Sequence, residues 1–283
     1  MLRRFHAYAA YGLLLLGAIA VAASNPLLFQ KMNTLRRAEG IPDLDTSRGF
    51  VDIASVVGRI PLNGHEVWCV DPATRWRGTV LEGGGNCSQM CFGLAYQLDR
   101  EGVDYQIIHM LTPKGVGHGD GHTVIRLPYR FDGVERVGLV DVSFGSILTG
   151  DGVPLDVAQV AAPPVEGWGH IPLNAAARFP NYHDDFLVDA VIGYVPPSEV
   201  HDYYAFIQRV YFSLGADKPE KYVFDGLALL LGHLPEVYVP EYDRLLRTHR
   251  LDLFLHRGAL AVMRSALLIV PGILGFEALR RRR

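Results

Sequence analysis

The stretch GGGNCSQMCFGLAYQLDREG, residues 83–102, decides how this chain is read. Asn86 is a strong helix N-cap residue, and Gln89 follows it at capping-box spacing. The pattern therefore predicts a helix over 87–100, starting at Cys87 and stopped by Gly102. The Cys87 thiol then falls at a helix N-terminus. There the unpaired backbone N–H groups and the positive end of the helix dipole favour the thiolate, which is the nucleophilic form. The three preceding glycines let backbone or substrate approach closely. A cysteine without a base nearby is most often a small buried hydrophobe, so the nucleophile reading needs a partner.

Working outward, YQIIHML at 105–111, HTVIRL at 122–127 and VGLVDV at 137–142 read as strands, with FDGV at 131–134 as the turn between the last two. A helix followed by three strands, taken as antiparallel, is an α+β unit. If 131–134 closes the hairpin, His122 and Asp141 stand nearly equidistant from its centre. Adjacent strands then bring imidazole and carboxylate within hydrogen-bond reach on one face. Cys87, His122 and Asp141 supply a nucleophile, a base and a group that orients the base.

These elements, GNC opening a helix, GHTVI on a strand and LVDVSFG on the next, resemble the transglutaminase-like superfamily over roughly residues 50–150, about a third of the chain. The resemblance implies a papain-like core, in which the cysteine-bearing helix packs on an antiparallel sheet. It also implies acyl transfer, with Cys87 as nucleophile, His122 as base and Asp141 as its orienter. The substrate would be a peptide or carboxamide bond of a peptide or protein, and the thioester would be resolved by water or by an amine. Trp76 is a candidate for the upstream aromatic residue that often assists the oxyanion in this family, although it reads equally well as core packing. Asn86 and Gln89 are further candidates for oxyanion or substrate contact. The third motif has AspVal where many members have AspPro, which leaves the acid in place with a changed turn.

Competing chemistry is weaker. HGDGH at 118–122 offers three metal ligands at alternating positions, but its glycines suit a flexible loop at the site mouth and no HExxH partner appears. No metal or cofactor is expected. YHDD at 182–185 reads as a solvated helix start. Cys91, one turn after Cys87, either packs in the core or, in an exported domain, pairs with Cys69 on the EVWCV strand of 66–70.

At 283 residues and 31.3 kDa, the chain suits one large domain with appendages. Apolar, charged and aromatic contents of 49%, 20% and 10% exclude disordered and fibrous classes. A net charge of -3 and a pI near 6.4 give no basic field for nucleic acid and no global invitation to acidic partners. Three cysteines are too few for a disulfide scaffold.

The mean hydropathy of +0.14 is high, and the excess lies at the two ends. Residues 7–24, AYAAYGLLLLGAIAVAAS, form an uncharged run long enough to cross a bilayer. They read as a transmembrane anchor or as a signal with a cleavage site near Ala20–Ala22. Arg3 and Arg4 are nearly balanced by Lys31, Arg36 and Arg37, so orientation is weakly specified. Residues 258–279 form a second apolar run, interrupted by Arg264 and Glu277 and followed by a basic tail. Upstream, arginines 244, 247, 250, 257 and 264 fall mostly opposite Leu245, Leu253 and Leu260. A span, an interfacial helix on anionic lipid and a core helix all fit.

The expected organisation is an anchor or signal over 1–24, a stalk and linker over 25–49, the catalytic domain over 50–150, a mainly helical extension over 151–250 and an amphipathic or transmembrane helix over 251–283. Helices are predicted at 184–193, 197–213 and 237–248. The chain reads as a membrane-associated cysteine hydrolase or acyltransferase with its catalytic domain extracytoplasmic, in the periplasm, and with lipid and membrane-protein partners. The alternative is a non-catalytic, membrane-tethered module for peptide binding or complex assembly.

Overall fold

The structure, a computed structural model, describes residues 2–63, 65, 67, 71–111, 121–160, 167–177, 190–214 and 221–281. In chain order, helices α1 (Leu2–Ser24) and α2 (Pro26–Thr34) precede strand β1 (Leu35–Arg37), and β2 (Val51–Asp52) leads into α3 (Ile53–Val56). Helix α4 (Pro72–Trp76) runs on into a wider π-helical turn, Arg77–Leu81, and is followed by α5 (Cys87–Glu101). Then come β3 (Gln106–Leu111), β4 (His122–Phe131), β5 (Val134–Asp141), β6 (Ser146–Gly150), β7 (Val153–Pro154), α6 (Val157–Val160), β8 (Trp168–Pro172) and β9 (Val191–Val195). Helices α7 (Pro197–Leu214) and α8 (Lys221–Leu231), strand β10 (Val237–Val239) and the long helix α9 (Tyr242–Arg281) complete the chain.

The architecture is mixed α+β. The strands form one mixed sheet in the order β1-β10-β9-β3-β4-β5-β6-β7, with β2 added beside β4 and β8 beside β6. The pairs from β10 through β7 are antiparallel, whereas β1–β10 and β2–β4 are parallel. The β4–β5 hairpin closes on Asp132 and Gly133, both left-handed at φ 49° and 76°, as a two-residue turn with the twist of its strands requires. Residues 122–129 of β4 are buried throughout, because α5 covers one sheet face and a second apolar layer covers the other. Met90, Cys91, Leu94, Ala95 and Leu98 form the buried stripe of α5, at the spacing of one helix face.

Several sequence expectations need correction. The helix expected at 184–193 lies outside the described residues up to 189, and beyond them VIGYV is strand β9, buried on both faces. A short apolar run of this kind has no periodicity to separate strand from helix. Residues 237–239 are likewise strand, and α9 begins only at Tyr242. The part after residue 150 is therefore not simply a helical extension, since β8, β9 and β10 complete the same sheet. The supposed stalk is also stitched in. β1 pairs with β10, and the Pro42 carbonyl accepts from Gln106 Nε2 at 2.9 Å and from the buried Arg126 Nη1 at 2.8 Å. The strand expected at 66–70 falls almost wholly outside the described residues.

α1 packs along α9, and their contact joins Ala18, Phe29, Leu229, Ala259 and Leu260 in one apolar cluster. The segment Tyr242–Val270 is long and apolar enough to cross a membrane, and only 28% of its apolar window is buried. α1 forms such a segment only together with α2, across a bend of 102°. Arg264 does not interrupt the exposed face. It turns inward and donates from Nε to Leu230 O at 2.9 Å and from Nη2 to Leu229 O at 2.6 Å, in the last turn of α8. Arg257 similarly donates to Leu35 O at 2.6 Å. Two of the five arginines expected to form a lipid-headgroup face are thus spent inside the protein. Leu13, Leu14 and Leu16 of α1 and Phe254, Leu267 and Leu268 of α9 are left exposed.

α5 lies tightly against the π-helical turn at Gly93, where a Cβ would stand 1.9 Å from the buried Thr79 Oγ1. Gly93→Ala is expected to cost about 1–3 kcal/mol of stability by overpacking. In a Thr79→Ala background the added cost should be smaller, because the hydroxyl is gone. Denaturant unfolding of the four variants of this cycle checks both statements.

Candidate active site

The capping box predicted from sequence is formed. Asn86 Oδ1 accepts from Gln89 N at 2.9 Å, and Gln89 Oε1 accepts from Asn86 N at 3.0 Å. Cys87 is consequently the first residue of α5, half-buried, with its thiol at the positive end of a 15-residue helix. β4 supplies His122 as its first residue and β5 supplies Asp141 as its last. The strand register explains how they meet. One step beyond the Ile125–Val140 pair, Asp141 faces Val124, and His122 is its diagonal neighbour on the same sheet face.

His122 Nε2 and Asp141 Oδ2 are 2.6 Å apart, and the two side chains are 4% and 0% exposed. The second carboxylate oxygen accepts from Ser143 Oγ at 2.7 Å and from Phe144 N at 3.1 Å, so both oxygens are held. The Phe144 ring lies 5.6 Å from the imidazole, tilted by 33°. With Nε2 directed to Asp141, the hydrogen bond between the ring and Cys87 falls to Nδ1.

Burial opposes the imidazolium, but the hydrogen bonds from Asp141 and Cys87 and their charges outweigh it and push His122 up to about 9. Burial likewise opposes the Cys87 thiolate. The hydrogen bond and charge of His122, aided by the Thr123 backbone N–H, prevail and hold the thiol below its ordinary value. Cys91 behaves oppositely: burial, with the charges of Cys87 and Asp141, pushes its thiol well up. It is a free thiol that donates to Thr123 O at 3.5 Å, so the bridge to Cys69 suggested by sequence is not made; Cys69 itself lies outside the described residues.

Three sequence candidates are not aimed at the Cys87–His122 pair. Asn86 and Gln89 spend their polar atoms on the cap, and Gln89 Nε2 also donates to Val67 O at 2.9 Å. Trp76 donates from Nε1 to Gln97 Oε1 at 3.2 Å and packs on the core. Gln97 lies ten residues along α5 from Cys87, about 15 Å at 1.5 Å per residue. Of the metal alternative at 118–122, only Gly121 and His122 are described, and His122 is committed to Asp141; residues 182–185 are also outside. Sequence reasoning missed Thr123, whose backbone meets both cysteines and whose Oγ1 lies 3.0 Å from His109 Nδ1. It also missed Ser143 and Phe144, although both stand in the LVDVSFG stretch that marks Asp141.

Two pockets flank the start of α5. One, of about 120 Å³, lies between Gly83, Gly85, Met90, Ser143 and Phe144. The other, of about 210 Å³, is bordered by Ser88 and Gln89. Comparison with protein-family models, curated proteins and solved structures yields no match.

His122 keeps its proton up to about pH 9, and Cys87 is held below its ordinary thiol value, so the pair is ionised from that lowered Cys87 value up to about pH 9. Alkylation of Cys87 by iodoacetamide should therefore persist to lower pH than that of an ordinary thiol and lose that persistence in His122→Ala. Cys91 should stay unlabelled. Mass spectrometry of each cysteine across pH reads all three.

Proposed function

We propose that this chain is a membrane-associated cysteine enzyme of the transglutaminase-like kind, catalysing acyl transfer at peptide or carboxamide carbonyls. The observation that carries the reading is the continuous relay of a helix N-terminal thiol, hydrogen-bonded to His122, whose other nitrogen is bound 2.6 Å from a fully buried carboxylate. Order along the chain and supporting elements agree with the resemblance seen in the sequence.

In this mechanism the Cys87 thiolate attacks the carbonyl carbon, and the oxyanion forms against the Cys87 backbone N–H at the helix start. Collapse breaks the carbon–nitrogen bond while His122 gives its proton to the departing amine, leaving a thioester on Cys87. Neutral His122 then takes a proton from water or from an amine, which attacks the thioester carbonyl. The carbon–sulfur bond breaks, and thiolate and imidazolium are restored. Asp141 holds the ring in the orientation and tautomer both steps need.

The long apolar helix α9 supports membrane association, and the placement of the catalytic part outside the cytoplasm is carried over from the sequence reading. α9 presents an apolar exposed face, and α1 packs into the body of the protein through Ala18, Val21 and Ala22, an arrangement that favours a retained anchor over a removed signal.

The test incubates the detergent-solubilised full chain with a peptide library and a tagged primary amine, reading cleavage and amine incorporation by mass spectrometry. Cys87→Ala should abolish both, and Asp141→Asn should lower the rate by on the order of 10² to 10⁴. Turnover surviving in Cys87→Ala would overturn the reading. An inert wild-type protein with an ordinary thiol at Cys87 would move the chain to the non-catalytic binding module.

A further inference from the structure

The smaller pocket is walled by residues that adjoin all three members of the triad. Gly85 stands two residues before Cys87 and Met90 three residues after it on α5, while Ser143 and Phe144 follow Asp141. The Phe144 ring lies 5.6 Å from the His122 ring, and Ser143 Oγ donates to Asp141. Leu62, Ala176 and the main chain at Gly83 complete the lining. Among the described residues no charged side chain faces it, and its one hydroxyl, on Ser143, is bound to Asp141. An apolar cavity of about 150 Å³ holds benzene, so about 120 Å³ gives room for about four or five carbon atoms.

The lining is built from backbone that would not take this shape unaided. Leu62 is left-handed at φ 52°, which a residue with a bulky side chain adopts only where its surroundings compel it. Asn63 Nδ2 donates to Glu82 O at 2.7 Å and Asn174 Nδ2 to Ile60 O at 3.2 Å, which pins residues 60–63 from two sides. Gly83, at φ 70°, lets the loop before Cys87 close on this segment, since a Cβ there would stand 2.5 Å from Leu62 N. The Leu62 side chain reaches the turn after Asp141, where a Cβ on Gly145 would stand 3.0 Å from its Cδ1. Strained residues of this kind concentrate at ligand sites.

We propose that this pocket receives an aliphatic side chain of valine to leucine size, carried by the substrate next to the attacked carbonyl. The proposal rests on Cys87 being the acyl-transfer nucleophile, and it narrows the substrate class of that reaction. A benzyl group exceeds the volume, and a carboxylate or ammonium group would lose its water with no charged partner in return. The chemistry is the same whether the side chain belongs to the acyl residue or to the residue bearing the departing amine.

The experiment measures second-order rates of Cys87 alkylation in the detergent-solubilised full chain with two series of reagents. N-methyl, N-isobutyl, N-benzyl and N-(2-carboxyethyl) iodoacetamide probe the amine side, and the chloromethyl ketones of acetyl-glycine and acetyl-leucine probe the acyl side. The branched group should react roughly tenfold or more faster than the small one in the series that matches the pocket, with benzyl and carboxyethyl below isobutyl on the amine side. Only ratios are read, so a change in thiol reactivity common to all reagents cancels. Ala176→Phe, at an exposed position, should fill the pocket and bring the ratio near one. Leu62→Gly, which takes the left-handed backbone without strain, should move the optimum toward benzyl. Ratios near one in both wild-type series, or a preference that survives Ala176→Phe, overturn the proposal. The pH profile of iodoacetamide labelling reports separately on the nucleophile. An ordinary thiol profile would sink the acyl-transfer reading even where size selection persists, and an activated thiol with flat ratios would sink the pocket alone.

Discussion

A fully buried carboxylate bound 2.6 Å from a nearly buried imidazole is the arrangement on which the rest of this structure depends. An ionised Asp141 without partners would cost many kcal/mol in a low-dielectric interior. It is held there because Oδ2 meets His122 while Oδ1 takes donors from Ser143 and Phe144. Those contacts require one strand register. A slip of one residue along β4 would turn His122 to the opposite sheet face and leave the carboxylate without its main partner. The Asp132-Gly133 turn, which sets that register, therefore determines the His122–Asp141 contact from a distance.

The same pair governs the chemistry of the two described cysteines. Cys87 and Cys91 lie one turn apart on one helix and are pushed in opposite directions. Cys87 sits at the helix end with His122 and the Thr123 N–H against it. Cys91 is sealed in the apolar stripe facing the sheet, where burial and the charges of Cys87 and Asp141 disfavour its thiolate. Reactivity is thus partitioned by four residues of helix rather than by the nature of the thiols.

The helical ends show the same economy with arginine. An Arg inside an apolar segment is costly in lipid, yet Arg264 and Arg257 find carbonyls within the protein, at the end of α8 and in β1. These contacts tie α9 to α8 and β1 while its leucine and phenylalanine face stays outward. α2, reached from α1 through a sharp bend, closes one wall of the pocket that Ser88 and Gln89 of α5 also line.

What the sequence determined by itself was everything set by neighbours along the chain. The capping box of Asn86 and Gln89 lies within four residues, the Asp132-Gly133 turn has its own dihedral signature, and the hairpin centre places His122 and Asp141 by counting. Triad, helix start and hairpin were legible for that reason. Tertiary structure alone decided the rest. VIGYV and VYV became strands because β3 and β1 offered open edges to pair with, which a five- or three-residue apolar run does not announce. Trp76 was carried to the far part of α5, Arg257 and Arg264 turned inward onto carbonyls of β1 and α8, and Lys31 and Ser88 came to line one pocket. Each of these outcomes depends on a partner tens to hundreds of positions away, and the free energy that selects it exists only once the chain has folded.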